Sequence, residues 1–191
     1  MAILQLGSDT LAGTPATGQV EYNGQMFYTD SNASRGQVER IVQDTAQAST
    51  SGTSIDFTSI PAWVKKITVM LNAVSTNGTS NIQAQIGAGS VTTTGYTSGS
   101  AQVGTGTASS TTGYLLTGNN AAIAPYYGAI YITIHSSNLW VYTSSLWNSA
   151  GAMNVSGGSV SLSGTLDRIR ITTVNGTDTF DAGSINIMYE G

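Results

Sequence analysis

The stretch SVSLSGTLDRIRITTVNGTDTFDAGSINIMYE, Ser159–Glu190, decides the fold class. Within it Ile169, Ile171 and Thr173 alternate with Arg168, Arg170 and Thr172. Successive side chains of a strand point to opposite faces, so this run reads as a half-buried β-strand. The segment Asn175–Gly183 (NGTDTFDAG) is rich in turn formers, and beyond it Ile185, Ile187 and Tyr189 share one face with Asn186, Met188 and Glu190 opposite. Two such strands cannot bury their apolar faces alone. The rest of the chain must supply a facing sheet, and the expected fold is an all-β, jelly-roll-like antiparallel β-sandwich.

Working back from that pair, the same alternation recurs. Gly128–His135 (GAIYITIH) places Ile130, Ile132 and Ile134 on one face and reads as a central strand. Leu139–Leu146 follows a Ser136-Ser137-Asn138 turn. Val64–Val74 (VKKITVMLNAV) sets Ile67, Val69, Leu71 and Ala73 against Lys66, Thr68, Met70 and Asn72. After the turn Ser75–Ser80, the segment Asn81–Ile86 turns Ile82, Ala84 and Ile86 inward. Ile55 and Phe57 alternate as a short strand does. Between Gly87 and Gly113 small polar residues dominate, suiting loops or edge strands, with Tyr96 the one large side chain. About eight strands are expected in the 60–190 region, the number of a jelly roll.

The N-terminal part reads differently. A short apolar segment, Ile3–Leu6, precedes a loop around Gly13–Gly18, and Asn23-Gly24 then marks a hairpin, because that dipeptide readily takes the positive φ angles of a type I′ turn. An isolated hairpin is marginal in water, so this segment is expected to lean on neighbouring chains or a larger assembly. Arg35–Gln47 (RGQVERIVQDTAQ) fits a short helix or an extended connector equally well. The expected division is residues 1–48 as an N-terminal attachment segment with its hairpin, and residues 49–191 as the sandwich.

Composition supports an assembling β protein. The 191 residues are 40% hydrophobic but only 8% charged, with 23 glycines, which differs from the low hydrophobicity and high net charge of disordered chains. Few charges leave a surface poorly protected against association, so an oligomer is expected. A net charge of −4 with six basic residues argues against a nucleic-acid partner. Lys65, Lys66, Arg168 and Arg170 read as solvated strand faces. The chain has no cysteine, so neither disulfides nor thiolate metal sites are expected. No run approaches the roughly 20 apolar residues of a membrane span, and MAILQLGSDT lacks the pattern of a signal peptide.

Three segments resemble a known family. FTSIPAWVKKITVMLNAVSTNGTSNIQAQIGAG (Phe57–Gly89) and SGTLDRIRITTVNGTDTFDAGSINIMYE (Ser163–Glu190) look like a domain at the C-termini of bacteriophage and prophage tail-fibre-type proteins. TPATGQVEYNGQMFYTDSNASRG (Thr14–Gly36) is similar to a segment that precedes such domains. The resemblance implies a virion structural protein assembled in the host cytoplasm, a homotrimer joined to other virion proteins through its N-terminal segment, with a sandwich able to contact a host-surface carbohydrate. It implies no catalytic set and no cofactor. The chain lacks the repeats of a fibre shaft, which suits a fibre tip, an adaptor or a capsid decoration protein.

The residues themselves offer little for an enzyme. His135 is the only histidine and stands on the polar face of an expected strand, beside no Ser or Asp motif. Asp178 and Asp181 are close enough in sequence to suggest the carboxylate pair of a polysaccharide-cleaving tailspike, or with Asn175 a calcium site, but turns favour Asp in any case and no EF-hand spacing occurs. Neither catalytic residues nor a metal are expected. The strongest chemical reading is a sugar platform. Trp140, Tyr142 and Trp147, with Tyr126 and Tyr127 nearby in sequence, could present rings on which a pyranose stacks. The competing reading puts these rings in the core or a subunit interface, as it does Trp63.

Overall fold

The computed structural model describes residues 14, 16–22, 26–32 and 34–191. The chain divides into two units, Met1–Arg40 and Ile41–Gly191. In the first, β1 (Val20–Tyr22), β2 (Met26–Thr29) and β3 (Arg35–Gln37) form an antiparallel sheet in that order. Val20 pairs with Tyr28 and Tyr22 with Met26, and all four side chains are exposed. Asp30 shapes the β2–β3 turn, its Oδ1 accepting the N–H groups of Asn32 and Ser34 at 2.9 Å. The expected Asn23-Gly24 turn and the Ile3–Leu6 segment lie outside the described residues.

The second unit contains β4 (Ile41–Gln43), β5 (Gln47–Ala48), β6 (Ser54–Thr58), β7 (Lys66–Thr76), β8 (Ile82–Ala88), β9 (Ser90–Val91), β10 (Thr97–Gln102), β11 (Gly106–Ser110), β12 (Tyr114–Leu115), β13 (Tyr126–Ser136), β14 (Leu139–Asn148), β15 (Met153–Ser161), β16 (Arg168–Thr173) and β17 (Phe180–Glu190). It is an all-β sandwich, and no helix occurs among the described residues. The larger sheet has nine strands, in the order β11-β10-β15-β14-β13-β7-β17-β4 with β5 also on β17; the smaller has five, β12-β8-β16-β6 with β9 on β8. Long strands near the two ends of the chain pair with each other, β7 with β17 in one sheet and β8 with β16 in the other. That nested pairing is jelly-roll-like, whereas β13, β14 and β15 run as a simple meander.

The period-2 pattern explains where the core lies. Ile67, Val69, Ile130, Ile132, Ile185 and Ile187 of the large sheet meet Ile82, Ala84, Ile86, Ile169 and Ile171 of the small one, and together they form one buried cluster. Each of these is placed as its strand's alternation requires. Ala73 is the exception in β7. It adopts φ +56° opposite Gly183 at φ +91°, and the β7–β17 register slips between Ala182 and Ser184. A Cβ on residue 183 would stand 2.3 Å from the Ala73 carbonyl oxygen, so glycine is what allows this bulge. The slip turns Val74, not Ala73, into the core.

The strand pairing bears on three further segments. Residues 35–47 contain no helix but β3, β4 and the start of β5, because β4 and β5 complete the edge of β17. With β4 and β5 on β17, the compact sandwich unit runs from Ile41 to Gly191. Strands outnumber the expected eight because the small polar segment between Gly87 and Gly113 contributes β9, β10 and β11. Side chains of Ser, Thr and Gly give such strands almost no apolar alternation to read.

Candidate functional site

The five aromatic residues of the expected platform are separated by strand parity. In β14 burial alternates without interruption: residues 140, 142, 144, 146 and 148 are buried, and 141, 143, 145 and 147 are exposed. Trp140 and Tyr142 do share a face, but it is the core face, where they are 2% and 5% exposed. Tyr126 is likewise fully buried. These three therefore cannot form the platform, because the small sheet covers the face they occupy. Trp147 and Tyr127 point the other way, 48% and 39% exposed, and stand directly opposite each other on β14 and β13. Cross-strand partners lie within side-chain contact range.

The inward rings build a hydrogen-bonded aromatic column. Tyr142 stacks on Tyr114 with centroids 4.2 Å apart, and Tyr114 meets Tyr96 edge to face at 5.0 Å. Every hydroxyl of the column is satisfied, as buried phenols require. Tyr114 donates to the Trp140 carbonyl at 2.9 Å. Tyr142 donates to the Leu115 carbonyl at 2.8 Å, with Ser98 Oγ also at 2.8 Å. Tyr96 accepts the Ile86 N–H at 2.8 Å, fixing the loop before β10 to the small sheet. Burial holds all three phenols above the ordinary tyrosine range; Tyr142 is pushed up to about 12 despite its hydrogen bonds.

Around Trp147 and Tyr127, from β10 to β13, the outer face of the nine-stranded sheet is extended and without Asp, Glu, Lys or Arg, the Lys66–Glu190 pair lying beyond it on β7 and β17. Tyr127, Trp147 and Met153 form one row across β13, β14 and β15, and the Val103 N–H donates to the Met153 carbonyl, extending the row to the β10–β11 turn. Val155, Tyr131 and Val141 stand exposed in successive rows. The reason for the missing charge is in the sequence: the hundred residues Ile67–Leu166 contain no Asp, Glu, Lys or Arg. Sequence reasoning about individual aromatics missed this face, although that charge-free run and the parity of β14 both signal it.

Three ion pairs of the sandwich are closed locally. Arg170 grips Asp56 through two bonds of 2.7 and 2.8 Å, Arg168 grips Asp167 at 2.7 and 3.1 Å, and Lys66 meets Glu190 at 3.0 Å. The Arg168 guanidinium beside Asp167 holds that carboxyl below its usual range. Asp178 and Asp181 do not face each other across a site. Asp178 accepts the Ser80 N–H at 2.9 Å and the Asn175 amide at 2.7 Å, knitting two turns together, while Asp181 accepts the Ser75 hydroxyl. His135 is exposed, with only Ser136 Oγ near its ring at 3.3 Å. No group of three or more His, Asp or Glu side chains that could hold a metal occurs among the described residues. Comparison with family models, curated proteins and solved structures returns no match.

Proposed function

We propose that this protein is a non-enzymatic structural protein of a bacteriophage virion, a tail-fibre or fibre-tip component that assembles as a homotrimer. The charge-free part of the outer face of the nine-stranded sheet, from β10 to β13, is turned toward neighbouring copies, and the N-terminal unit serves attachment to other virion proteins. The observation that carries the assembly is this face, aromatic and aliphatic in its exposed side chains and free of ionisable carboxylates and amines from β10 through β14. A surface without charge meets copies of itself without repulsion or desolvated ions.

Its size suits the role. The six strands from β11 to β7, five to eleven residues long, at a spacing of about 4.8 Å and about 3.4 Å per residue span roughly 700–850 Å², close to the ~800 Å² per partner of a stable interface. The virion assignment is supported by the similarity of Phe57–Gly89 and Ser163–Glu190 to tail-fibre-type domains. Attachment by the N-terminal sheet is supported by the exposed Val20, Tyr22, Met26 and Tyr28 on one of its faces.

Light scattering at micromolar concentration tests the assembly. The expected mass is three times the 19.7 kDa chain, and Trp147→Lys combined with Val155→Lys should reduce it to one chain. A monomeric unsubstituted protein would overturn the proposal. In that case the exposed Tyr127–Trp147 pair favours the second reading, a host-glycan stacking platform, tested by whether Trp147→Ala weakens attachment to host cells. Imaging of the virion distinguishes a tail position from capsid decoration.

A further inference from the structure

On the opposite side of the sandwich, the outer face of the five-stranded sheet holds a polar trough of about 310 Å³ lined by Gln83, Gln85, Thr93, Thr112, Arg170 and Thr172 among others. Gln83 and Gln85 occupy outward positions of β8, alternating with the core residues Ile82, Ala84 and Ile86, yet they are only 2% and 6% exposed. A glutamine on the outer face of a sheet is ordinarily solvated. These two are covered because the segment before β12 crosses over them. Gln85 Nε2 donates to the Thr112 carbonyl at 2.8 Å, and Gln83 Oε1 accepts from Thr112 Oγ1 at 3.1 Å and Ser110 Oγ at 3.4 Å. The amide wall of the trough is thereby held in one arrangement.

Hydrogen-bonding capacity is left over in that wall. The Gln85 side chain bonds Thr112 through Nε2, which leaves its Oε1 for the trough that the residue lines. An amide nitrogen has two N–H groups and a guanidinium five, and Gln85 and Arg170 use only part of theirs, Arg170 through its two bonds to Asp56. The Asp56 carboxylate also cancels the guanidinium charge, so donors and acceptors face the trough without net charge. The volume lies at the low end of the ~300–1,000 Å³ of small-molecule sites, and no aromatic ring lines it.

We infer that this trough binds a neutral polyhydroxylated ring, a single uncharged pyranose unit, through its hydroxyl groups alone. Preorganised amides match hydroxyls, which both donate and accept; the cancelled charge gives no advantage to an acid sugar; and the missing ring surface excludes recognition by stacking. The site stands independently of the assembly proposed above, since the two occupy opposite outer faces.

The test is a titration of the intact ¹⁵N-labelled protein with methyl glucoside, methyl galactoside, methyl mannoside and methyl N-acetylglucosaminide in turn, followed through the side-chain amide signals of Gln83 and Gln85. Glucuronate and cyclohexanol serve as the anionic and apolar controls. At least one neutral glycoside should move both amide signals saturably, with a Kd on the order of 1 mM as expected for so few ligand atoms. Thr93→Trp, at an exposed rim position, should fill the trough and abolish the shifts with the remaining spectrum unchanged, and Trp147→Ala should leave them intact. Absence of saturable shifts with every neutral glycoside, a larger effect from either control, or shifts that persist in Thr93→Trp would each overturn the assignment.

Discussion

Tyr142 lies against Tyr114 with ring centroids 4.2 Å apart and an interplanar angle of 28°, while Trp147, five positions along the same strand, stands on the opposite face of the sheet. The two halves of one aromatic cluster therefore do different work. Trp140→Ala should destabilise the fold by roughly 3–5 kcal/mol, as loss of a packed ring does. Tyr142→Phe keeps the stack but leaves the Leu115 carbonyl without its donor, costing about 1–3 kcal/mol. Trp147→Ala should change intrinsic stability by less than about 1 kcal/mol, read by denaturant unfolding at concentrations low enough to dissociate any assembly. A Trp147 effect as large as that of Trp140 would contradict the placement of the two faces.

The tyrosine column also predicts an alkaline limit. Burial raises the folded-state pKa of Tyr96, Tyr114 and Tyr142 above the ordinary value of 10.0, to about 12 for Tyr142. Above pH 10 the folded state thus holds more protons than the unfolded chain, and stability falls as pH rises. The contribution is fully present below pH 10 and is lost between there and about pH 12 for Tyr142, where it amounts to roughly 3 kcal/mol. In a near-ultraviolet phenolate titration, these three of the nine tyrosines should ionise only together with loss of the fold. Smooth ionisation of all nine near the ordinary value would show that the column is open to solvent.

Much of the sandwich was legible because its long strands carry apolar side chains at alternate positions. Ile169, Ile171, Ile185 and Ile187 are buried as their spacing requires. The pattern fails where the chain departs from strict period 2. The Ala73–Gly183 bulge shifts the parity of β7 by one, and residues 97–110 form two strands from side chains too small and polar to reveal a face. At the candidate site, proximity in sequence misled. Neighbours such as Tyr126 and Tyr127 fall on opposite faces of a strand, so five aromatics close in number yielded a pair. The buried Gln83 and Gln85 had no sequence signal, since their cover comes from a segment distant along the chain.

At one end of the sandwich the β7–β8 turn is locked to the β16–β17 turn. A Cβ on Gly78 would lie 2.0 Å from the Asp178 carboxylate, which is itself fixed by the Ser80 N–H and the Asn175 amide. Gly78→Ala must displace that carboxylate and should cost about 1–3 kcal/mol through the hydrogen bonds it breaks. Asp178→Ala should cost a similar amount alone. Combined, the two changes should be far less than additive, because the second removes the group with which the first collides. Additive losses in a double-mutant cycle would show that the turns are not coupled through this contact.

The last prediction concerns where the sandwich begins. Ile41–Gln43 pair with Met188–Glu190, Gln47 and Ala48 pair with Ile185 and Ser184, and Ser49 donates its N–H to the Gly183 carbonyl. On its other side β17 is held by β7. Removing residues 1–48 would therefore leave β17 as a long edge strand with unpaired N–H and C=O groups, the arrangement that promotes strand-to-strand association. A chain starting at Ile41 should retain full stability and remain dispersed. One starting at Ser49 should lose several backbone hydrogen bonds worth about 0.5–1.5 kcal/mol each and should form aggregates whose size grows with concentration. Thermal unfolding and light scattering on the two truncated chains measure both effects. Equal midpoints and equal particle sizes would mean that β4 and β5 are dispensable, and that the sandwich closes its own edge without them.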